Sequence, residues 1–271
     1  MRMSRFGLAT AAVAAACLSA PALADGLYGD SLKEPEVVIG SRGYCYLRAD
    51  TGYSWSANPD VRWTVRDADP GSPTFGQVLT DAVTGVGIGN TWLVEGGIGC
   101  ASGSRGLRGD LMLGYHGKRT IDGVPGPWNG AVLPPTADPL HTGVSSTTLM
   151  VNGYYDILQF GRFTPYLGAG LGLAYNKTDA VSFTGPANVI SGDSRWSLAW
   201  SLMAGVGISL TERTTLDIGY RYLDVGRAES GTIDNLGNAF PKVRIDDLAA
   251  HEFKIGLRMA FGGGEPCCNM K

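Results

Sequence analysis

The stretch Trp196-Ser-Leu-Ala-Trp-Ser-Leu-Met-Ala-Gly-Val-Gly-Ile-Ser-Leu210 alternates between two kinds of side chain over fifteen residues. Every even position from Trp196 to Leu210 is apolar, whereas most odd positions carry Ser, Ala or Gly. Because successive side chains of a β-strand point to opposite faces, this period of two predicts one strand with a strongly apolar face. Fifteen residues are long for a strand of a soluble sheet, so the length indicates a strand that crosses a membrane.

Seven further segments show similar alternation, and their connections alternate in length. The predicted strands cover residues 43–56, 91–101, 105–117, 143–158, 164–176, 195–211, 213–226 and 249–262. The long connections are 57–90, 118–142, 177–194 and 227–248, and the short ones are 102–104, 159–163 and 212. This pattern predicts an all-β protein, an eight-stranded antiparallel up-and-down transmembrane β-barrel with long extracellular loops and short periplasmic turns. The long loops are rich in Pro, Gly, Asp and Thr, which is typical of solvated segments.

The first 24 residues have the order of a secretory signal peptide. Two Arg residues precede an Ala-rich apolar stretch, and Ala22 and Ala24 provide the small residues of a cleavage site. A membrane anchor is the alternative, but the stretch is short and Ala-rich for one. A lipoprotein signal at Cys17 is another, although Ala14-Ala-Ala16 lacks the usual large apolar residue. We expect export to the outer membrane, a periplasmic segment at 25–42, the barrel at 43–262 and a tail at 263–271.

Composition limits the classes of partner. Removing Arg2 and Arg5 with the signal peptide takes the formal charge from −3 to −5, and no cluster of Lys and Arg occurs. Since phosphate backbones are bound by such clusters, a nucleic-acid partner is not expected. Charged residues make up 17% of the chain, below the quarter that is usual in soluble domains, which fits an outer surface facing lipid. Outer-membrane lipid and lipopolysaccharide are the expected partners, with a monomer favoured.

The charges of the predicted strands share one parity, opposite to the apolar one. Arg or Lys facing lipid at mid-bilayer costs about 2–4 kcal/mol, so charged residues are expected in the barrel interior. Five cations and five anions are predicted there: Arg48, Arg108, Arg221, Lys254 and Arg258, with Asp50, Glu95, Asp110, Asp156 and Asp217. Glu252 is a further candidate. Such a balanced set favours mutual ion pairs that plug the barrel. A narrow water-filled pore stays open as the alternative, because Gly168, Gly170 and Gly172 add room inside.

Aromatic residues of apolar parity lie near the long-loop ends of the strands. Tyr and Trp prefer the lipid–water boundary, so these residues are predicted to form an outer girdle. The predicted girdle comprises Tyr53, Trp55, Trp92, Tyr115, Tyr175, Trp196 and Tyr222.

Four motifs resemble strands of the small porin-family, OmpA-like outer-membrane barrels of Gram-negative bacteria. They are Tyr46-Leu-Arg-Ala-Asp-Thr-Gly-Tyr53, Thr164-Pro-Tyr-Leu-Gly-Ala-Gly-Leu-Gly172, Thr215-Leu-Asp-Ile-Gly-Tyr-Arg-Tyr222 and Glu252-Phe-Lys-Ile-Gly-Leu-Arg-Met-Ala-Phe261. The resemblance implies that the last strand is recognised by the outer-membrane assembly machinery. The matching residues are Phe253, Ile255, Leu257, Met259 and Phe261. Ten residues follow Phe261, whereas strands of that family usually end the chain on the aromatic residue.

Catalytic and cofactor motifs are weak. The Gly-rich segments have no following helix that would bind phosphate, so no cofactor is expected. His116, His141 and His251 are scattered, and no metal site or Ser–His–carboxylate spacing stands out. We therefore expect no enzyme. The least favoured hypothesis is a lipid-acting enzyme that uses the outward-facing His251.

Cysteine placement leaves two possibilities. Cys45 and Cys100 lie near the periplasmic ends of the first two predicted strands with the same parity, and the periplasm is oxidising. They form either a cross-strand disulfide or two lipid-facing thiols. Cys267 and Cys268 belong to the predicted tail and have no assigned role.

Overall fold

A computed structural model describes residues 43–67, 69–102, 106–126, 139–183, 189–234, 237 and 239–261. The predicted signal peptide (1–24), periplasmic segment (25–42) and tail (263–271) lie outside the described residues. Within the described part of the chain, no helix has the length and apolar character needed to cross a membrane.

Eight long strands form the barrel. They are β1 (Tyr44–Ser56), β2 (Thr91–Ala101), β3 (Leu107–Pro125), β4 (Leu140–Asp156), β5 (Phe163–Thr178), β6 (Asp193–Ser209), β7 (Thr214–Asp224) and β8 (Ala249–Phe261). Each strand pairs antiparallel with the next one along the chain. The first and last strands also pair, with Cys45 opposite Phe261 and Trp55 opposite His251. This pairing closes the barrel, and the predicted fold is confirmed.

The predicted outer end of β3 was wrong, and β4 begins slightly before its predicted start. Strand β3 runs to Pro125 instead of residue 117, and β4 begins at Leu140 instead of residue 143. The register of β3 with β4 shifts between His116 and Arg119, as in a β-bulge. An extra residue reverses the parity of every later side chain, so the exposed Lys118 ends the apolar alternation although the strand continues.

The long loops are folded over the outer end of the barrel. Residues Asp60–Trp63, Val243–Asp246 and Ala228–Glu229 form a three-stranded sheet. In the first loop Val65–Arg66 pairs with Val78–Thr80, and Val83–Ile88 pairs with the outer end of β3. In the third loop Val181–Phe183 pairs with β4 and with Val189–Ile190.

These loops share a buried apolar core that their composition did not predict. We call the described parts of loops 57–90, 179–192 and 225–248, with the outer ends of β3 and β4, the outer cap. Its buried residues include Val61, Trp63, Val83, Ile121, Leu140, Val181, Ile190, Val243, Ile245 and Leu248. The Trp63 ring lies 5.5 Å from the Phe183 ring, and Trp63 Nε1 donates to the Pro241 carbonyl (3.0 Å). The cap therefore packs apolar side chains of three loops together at the outer end of the barrel.

Candidate functional site: the barrel interior

The predicted interior charges lie inside the barrel. Nine of the ten have relative exposures of 6% or less, and the side chain of Asp156, at the inner rim, is 23% exposed. Alternation places them there: along β1, for example, Arg48 and Asp50 face inward between the outward-facing Leu47 and Thr51. The sequence therefore identified the inward face correctly, although it contained no information about which charges would meet.

A continuous chain of ion pairs crosses the lumen. Arg221 of β7 donates from Nε to Glu252 Oε2 (2.6 Å) and from Nη2 to Glu95 Oε1. Lys254 then joins Glu95 Oε2 (2.7 Å) to Asp50 Oδ2 (3.0 Å). The chain thus links strands β2, β7, β8 and β1 through groups that are almost fully buried.

The same chain continues toward β3 and β4. Arg48 donates from Nε to Asp50 Oδ1 (2.9 Å), and from Nη1 to Asp110 Oδ2 (3.3 Å) and the Tyr154 hydroxyl (3.0 Å). Asn152 Nδ2 donates to Asp110 Oδ1 (2.8 Å). Buried charges are tolerated when they are paired and hydrogen-bonded, and this arrangement meets that condition across most of the barrel width.

The described interior also holds three residues outside the predicted set of ten charges: Glu252, which was suggested as an addition, His116 and Arg119. Glu252 is fully buried, and its Oε1 lies 3.1 Å from His116 Nε2 and accepts from the Ser54 hydroxyl (3.2 Å). Arg119 is 3% exposed and donates to the same hydroxyl (3.2 Å). The parity of His116 and Glu252 already pointed inward, whereas Arg119 was hidden by the bulge because it fell in a predicted loop.

Two further ion pairs occupy the inner end. Arg108 Nε donates to Asp156 Oδ1 (3.0 Å), and Arg258 Nη2 donates to Asp217 Oδ1 (3.2 Å). The Arg108 guanidinium also lies 4.2 Å from the centre of the Tyr154 ring and 4.5 Å from that of Tyr166. Both Nη atoms of Arg108, and Nε and Nη1 of Arg258, are buried without a hydrogen-bond partner in the protein.

The row of glycines on β5 does not leave open space. A Cβ on Gly168 would lie 2.6 Å from Tyr154 Cδ1, and one on Gly170 would lie 2.2 Å from Asn152 Oδ1. A Cβ on Gly172 would lie 2.8 Å from Met150 Sδ. The expected interior room is therefore occupied by larger side chains of the neighbouring strand β4.

The outer face of the barrel carries the predicted aromatic residues. Tyr53, Trp55, Trp92, Tyr115 and Trp196 are 42–63% exposed, and Tyr175 and Tyr222 are half-buried. They stand in cross-strand or same-strand pairs, such as Trp92 with Tyr115 (5.6 Å) and Tyr175 with Trp196 (5.1 Å). The five β8 residues proposed as an assembly signal, Phe253, Ile255, Leu257, Met259 and Phe261, also face outward and are 43–59% exposed.

The cysteines and the outward-facing histidine have defined neighbours. A disulfide joins Cys45 of β1 to Cys100 of β2, with the Cα atoms 3.9 Å apart, whereas Cys267 and Cys268 lie outside the described residues. His251 Nδ1 lies 2.6 Å from the Tyr220 hydroxyl. Over the residues that the structure describes, no group of three or more His, Cys, Asp or Glu side chains is placed to hold a metal ion.

Comparison with known families agrees with this architecture. The model of the outer membrane protein beta-barrel domain matches residues 10–261. The chain belongs to this family. The barrel is therefore an outer-membrane protein, with its apolar face toward lipid and its ion-paired face toward the interior.

The relatives of this chain include uncharacterised proteins, an outer membrane protein and a putative adhesin. An uncharacterised protein of Brucella suis biovar 1 is 29% identical, over 90% of this chain and 94% of that one. The outer membrane protein PagN of Salmonella typhimurium is 33% identical over 46% of this chain and 55% of that one. A putative adhesin of Rickettsia bellii is 26% identical over 72% and 86%. Among solved structures, the outer membrane protein OprG of Pseudomonas aeruginosa is 16% identical, with a TM-score of 0.46, over 82% and 98%.

Proposed function

We propose that this outer-membrane barrel is a non-conducting structural and surface protein. The observation that carries the proposal is the chain of buried ion pairs that runs from Glu252 through Arg221 and Lys254 to Asp110 and links strands on opposite sides of the interior. The outer cap supports it, because its packed apolar core lies at the outer end of the barrel. An ion crossing the barrel would have to separate desolvated pairs and then the cap core, and both steps are costly.

Conductance across a planar lipid bilayer tests this proposal. The purified wild-type barrel is expected to give no stable, reproducible channels. Replacing Arg48 or Asp217 with Ala is expected to open or destabilise the interior. Reproducible wild-type channels of one conductance would contradict the plug.

A narrow porin is the second candidate function. The buried Arg108 and Arg258 atoms without protein partners favour it, since water is the simplest partner for such donors. Water at the inner end would shorten the stretch of the interior that the ion pairs block, and this would favour passage of small solutes. Uptake of small solutes into vesicles containing the wild-type barrel would establish this function in place of the first.

We further propose that the protein is not an enzyme. A Ser–His pair on the outer face would be needed for the lipid-acting hypothesis, and the hydroxyl that meets His251 belongs to Tyr220. His251 is therefore placed beside a tyrosine hydroxyl and not beside the serine that the hypothesis requires. Lipid hydrolysis by the purified protein that disappears on His251→Ala would overturn this proposal.

We propose that the outer cap is exposed outside the cell and binds partners there. The putative adhesin among the relatives favours an adhesive role, although no loop motif identifies a ligand. Lys242 Nζ donates to Glu229 (3.2 Å) and Asp193 (3.3 Å), and these hydrogen bonds raise the pKa of Lys242 above its ordinary value. The cap surface around Lys242 is thus internally paired. Binding of intact cells to host surfaces, compared with and without the gene, tests the role.

The route of the protein to the outer membrane is a further proposal. We propose cleavage of the signal peptide after Ala24, recognition of the apolar β8 face by the assembly machinery, contact of the girdle with lipopolysaccharide, and a monomeric barrel. N-terminal sequencing of the outer-membrane form tests the cleavage. Replacing Phe261 with Ala is expected to reduce the amount assembled in the outer membrane. An unchanged amount would contradict a role in recognition.

A further inference from the structure

Two short connections at the inner end of the barrel differ in how apolar their residues are. The connection between β6 and β7, residues 210–213, reads Leu210-Thr-Glu-Arg213 and carries one large apolar side chain, the exposed Leu210. The connection between β4 and β5 reads Ile157-Leu-Gln-Phe-Gly-Arg-Phe163 through the first residue of β5. We call residues 157–163 the apolar turn. Four of its seven residues are large and apolar, although a periplasmic turn would normally face water.

The apolar turn exposes those side chains instead of burying them. Ile157, Leu158, Phe160 and Phe163 are 42%, 59%, 61% and 52% exposed. Contiguous exposed apolar surface on a protein indicates contact with lipid or with another protein.

Backbone hydrogen bonds fix this exposed conformation. Phe160 and Phe163 exchange two hydrogen bonds (2.8 and 2.9 Å), and Ile157 N donates to the Pro165 carbonyl (2.9 Å). The Arg162 carbonyl accepts from Ser209 N of the neighbouring strand (2.8 Å). The turn is therefore held in place with its apolar side chains outward.

The apolar turn is continuous with the lipid face of the barrel. Leu107, Tyr155 and Leu167 lie side by side on β3, β4 and β5 and are 48–55% exposed. Beside them is a groove of about 400 Å³, whose lining also includes Gly153 and Ala169. A Cβ on Gly153 would meet nothing within 4 Å, so the groove reaches the backbone of β4.

We propose that the apolar turn lies in the inner leaflet of the outer membrane and binds one phospholipid there. One acyl chain occupies the groove over Gly153, between Tyr155 and Leu167. The lipid phosphate pairs with Arg162, which is exposed and is the basic residue of the turn. Two observations favour phospholipid over a protein partner: the patch continues the lipid interface, and a cation stands where headgroup phosphates would lie. The proposal requires only an embedded barrel and does not depend on whether the lumen conducts.

Nitroxide accessibility tests the position of the turn. Single labels at Leu158→Cys and, as a control, Glu212→Cys are introduced into the chain without its signal peptide and with Cys267 and Cys268 replaced by Ser. The barrel is reconstituted into vesicles of phosphatidylethanolamine and phosphatidylglycerol. The Leu158 label is expected to collide more with oxygen than with a water-soluble nickel chelate, and the Glu212 label the reverse. Equal access of the chelate to both labels would overturn the proposal.

Native mass spectrometry tests the lipid site itself. Gly153→Leu fills the groove, Arg162→Gln removes the cation, and Arg213→Gln is the matched control on the other turn. Retained phosphatidylglycerol is expected to fall about tenfold or more for Arg162→Gln, the effect of losing one hydrogen bond to a charged group. It is expected to fall for Gly153→Leu as well and to stay unchanged in the control. Retention equal to wild type in both test variants would overturn the site. Heat-modifiable migration of each variant on a gel shows separately that the barrel has folded.

Discussion

Arg221 is held between two buried carboxylates, and this makes it the residue on which the interior depends most directly. Its side chain is fully buried, and it donates to both Glu95 and Glu252. Removing the guanidinium would take one cation from Glu95, which keeps Lys254, and would leave the buried Glu252 with only His116 and the Ser54 hydroxyl. Arg221→Ala is therefore expected to lower the free energy of unfolding by about 3–5 kcal/mol, measured by urea unfolding in lipid vesicles.

Arg227 provides the matched control for that experiment. It pairs with Asp246 (2.9 Å), but its side chain is 62% exposed in the cap. Exposed ion pairs contribute little, so Arg227→Ala is expected to change the free energy of unfolding by less than about 1 kcal/mol. Equal effects of the two substitutions would mean that the interior pairs do not stabilise the barrel.

Gly256 leaves space for the buried Asp50 carboxylate. A Cβ at this position would lie 1.9 Å from Asp50 Oδ1, whereas one on the outward-facing Gly96 would have its nearest contact at 3.9 Å. Gly256→Ala is expected to destabilise the barrel by about 1–3 kcal/mol, because the Asp50–Lys254 pair must shift. Gly96→Ala serves as the control in the same unfolding measurement. A Gly256→Ala barrel as stable as the control would show that the pair has room to move.

At the scale of the elements, the sequence predicts strands well where alternation is unbroken. Strands β1, β2 and β8 lie close to their predicted bounds, because period two continues to their ends. Strand β3 does not, since the bulge near Lys118 reverses the parity and mimics a strand end. The inward placement of Arg119 and Ile121 follows from that bulge. No pattern of residue types marked it in advance.

The outer cap is the element that composition predicted least well. Apolar residues such as Trp63 are sparse in the loops, and only their meeting across three loops creates a core. Trp63→Ala is expected to loosen the cap, because a Trp-to-Ala change in a core costs about 3–5 kcal/mol. External protease should then cleave the first loop faster in intact cells, while the barrel keeps its heat-modifiable migration.

Phe75 is the control for the cap experiment. It lies in the same loop and is 58% exposed. Phe75→Ala should leave the cleavage rate unchanged. Equal cleavage of wild type and Trp63→Ala would show that the cap core does not hold the loops.

For the whole molecule, parity and length were enough to predict the closed barrel, and the family match agrees with them. Parity also separated the interior charges from the lipid face. It could not predict the pairing partners, because Arg221, Glu95 and Glu252 come from three strands whose relative register depends on the shear of the barrel. The same unknown register explains why the sequence did not predict that β4 side chains occupy the space beside Gly168, Gly170 and Gly172.

The central claim is that eight strands close around a charged interior and turn their apolar side chains to lipid. Gel migration of outer-membrane fractions before and after boiling tests it most directly. The protein is expected in those fractions, migrating at one position unheated and at another after boiling, because the closed barrel resists detergent until it is heated. Recovery of the processed chain as a folded monomer in aqueous buffer without detergent, with no change on boiling, would contradict the claim.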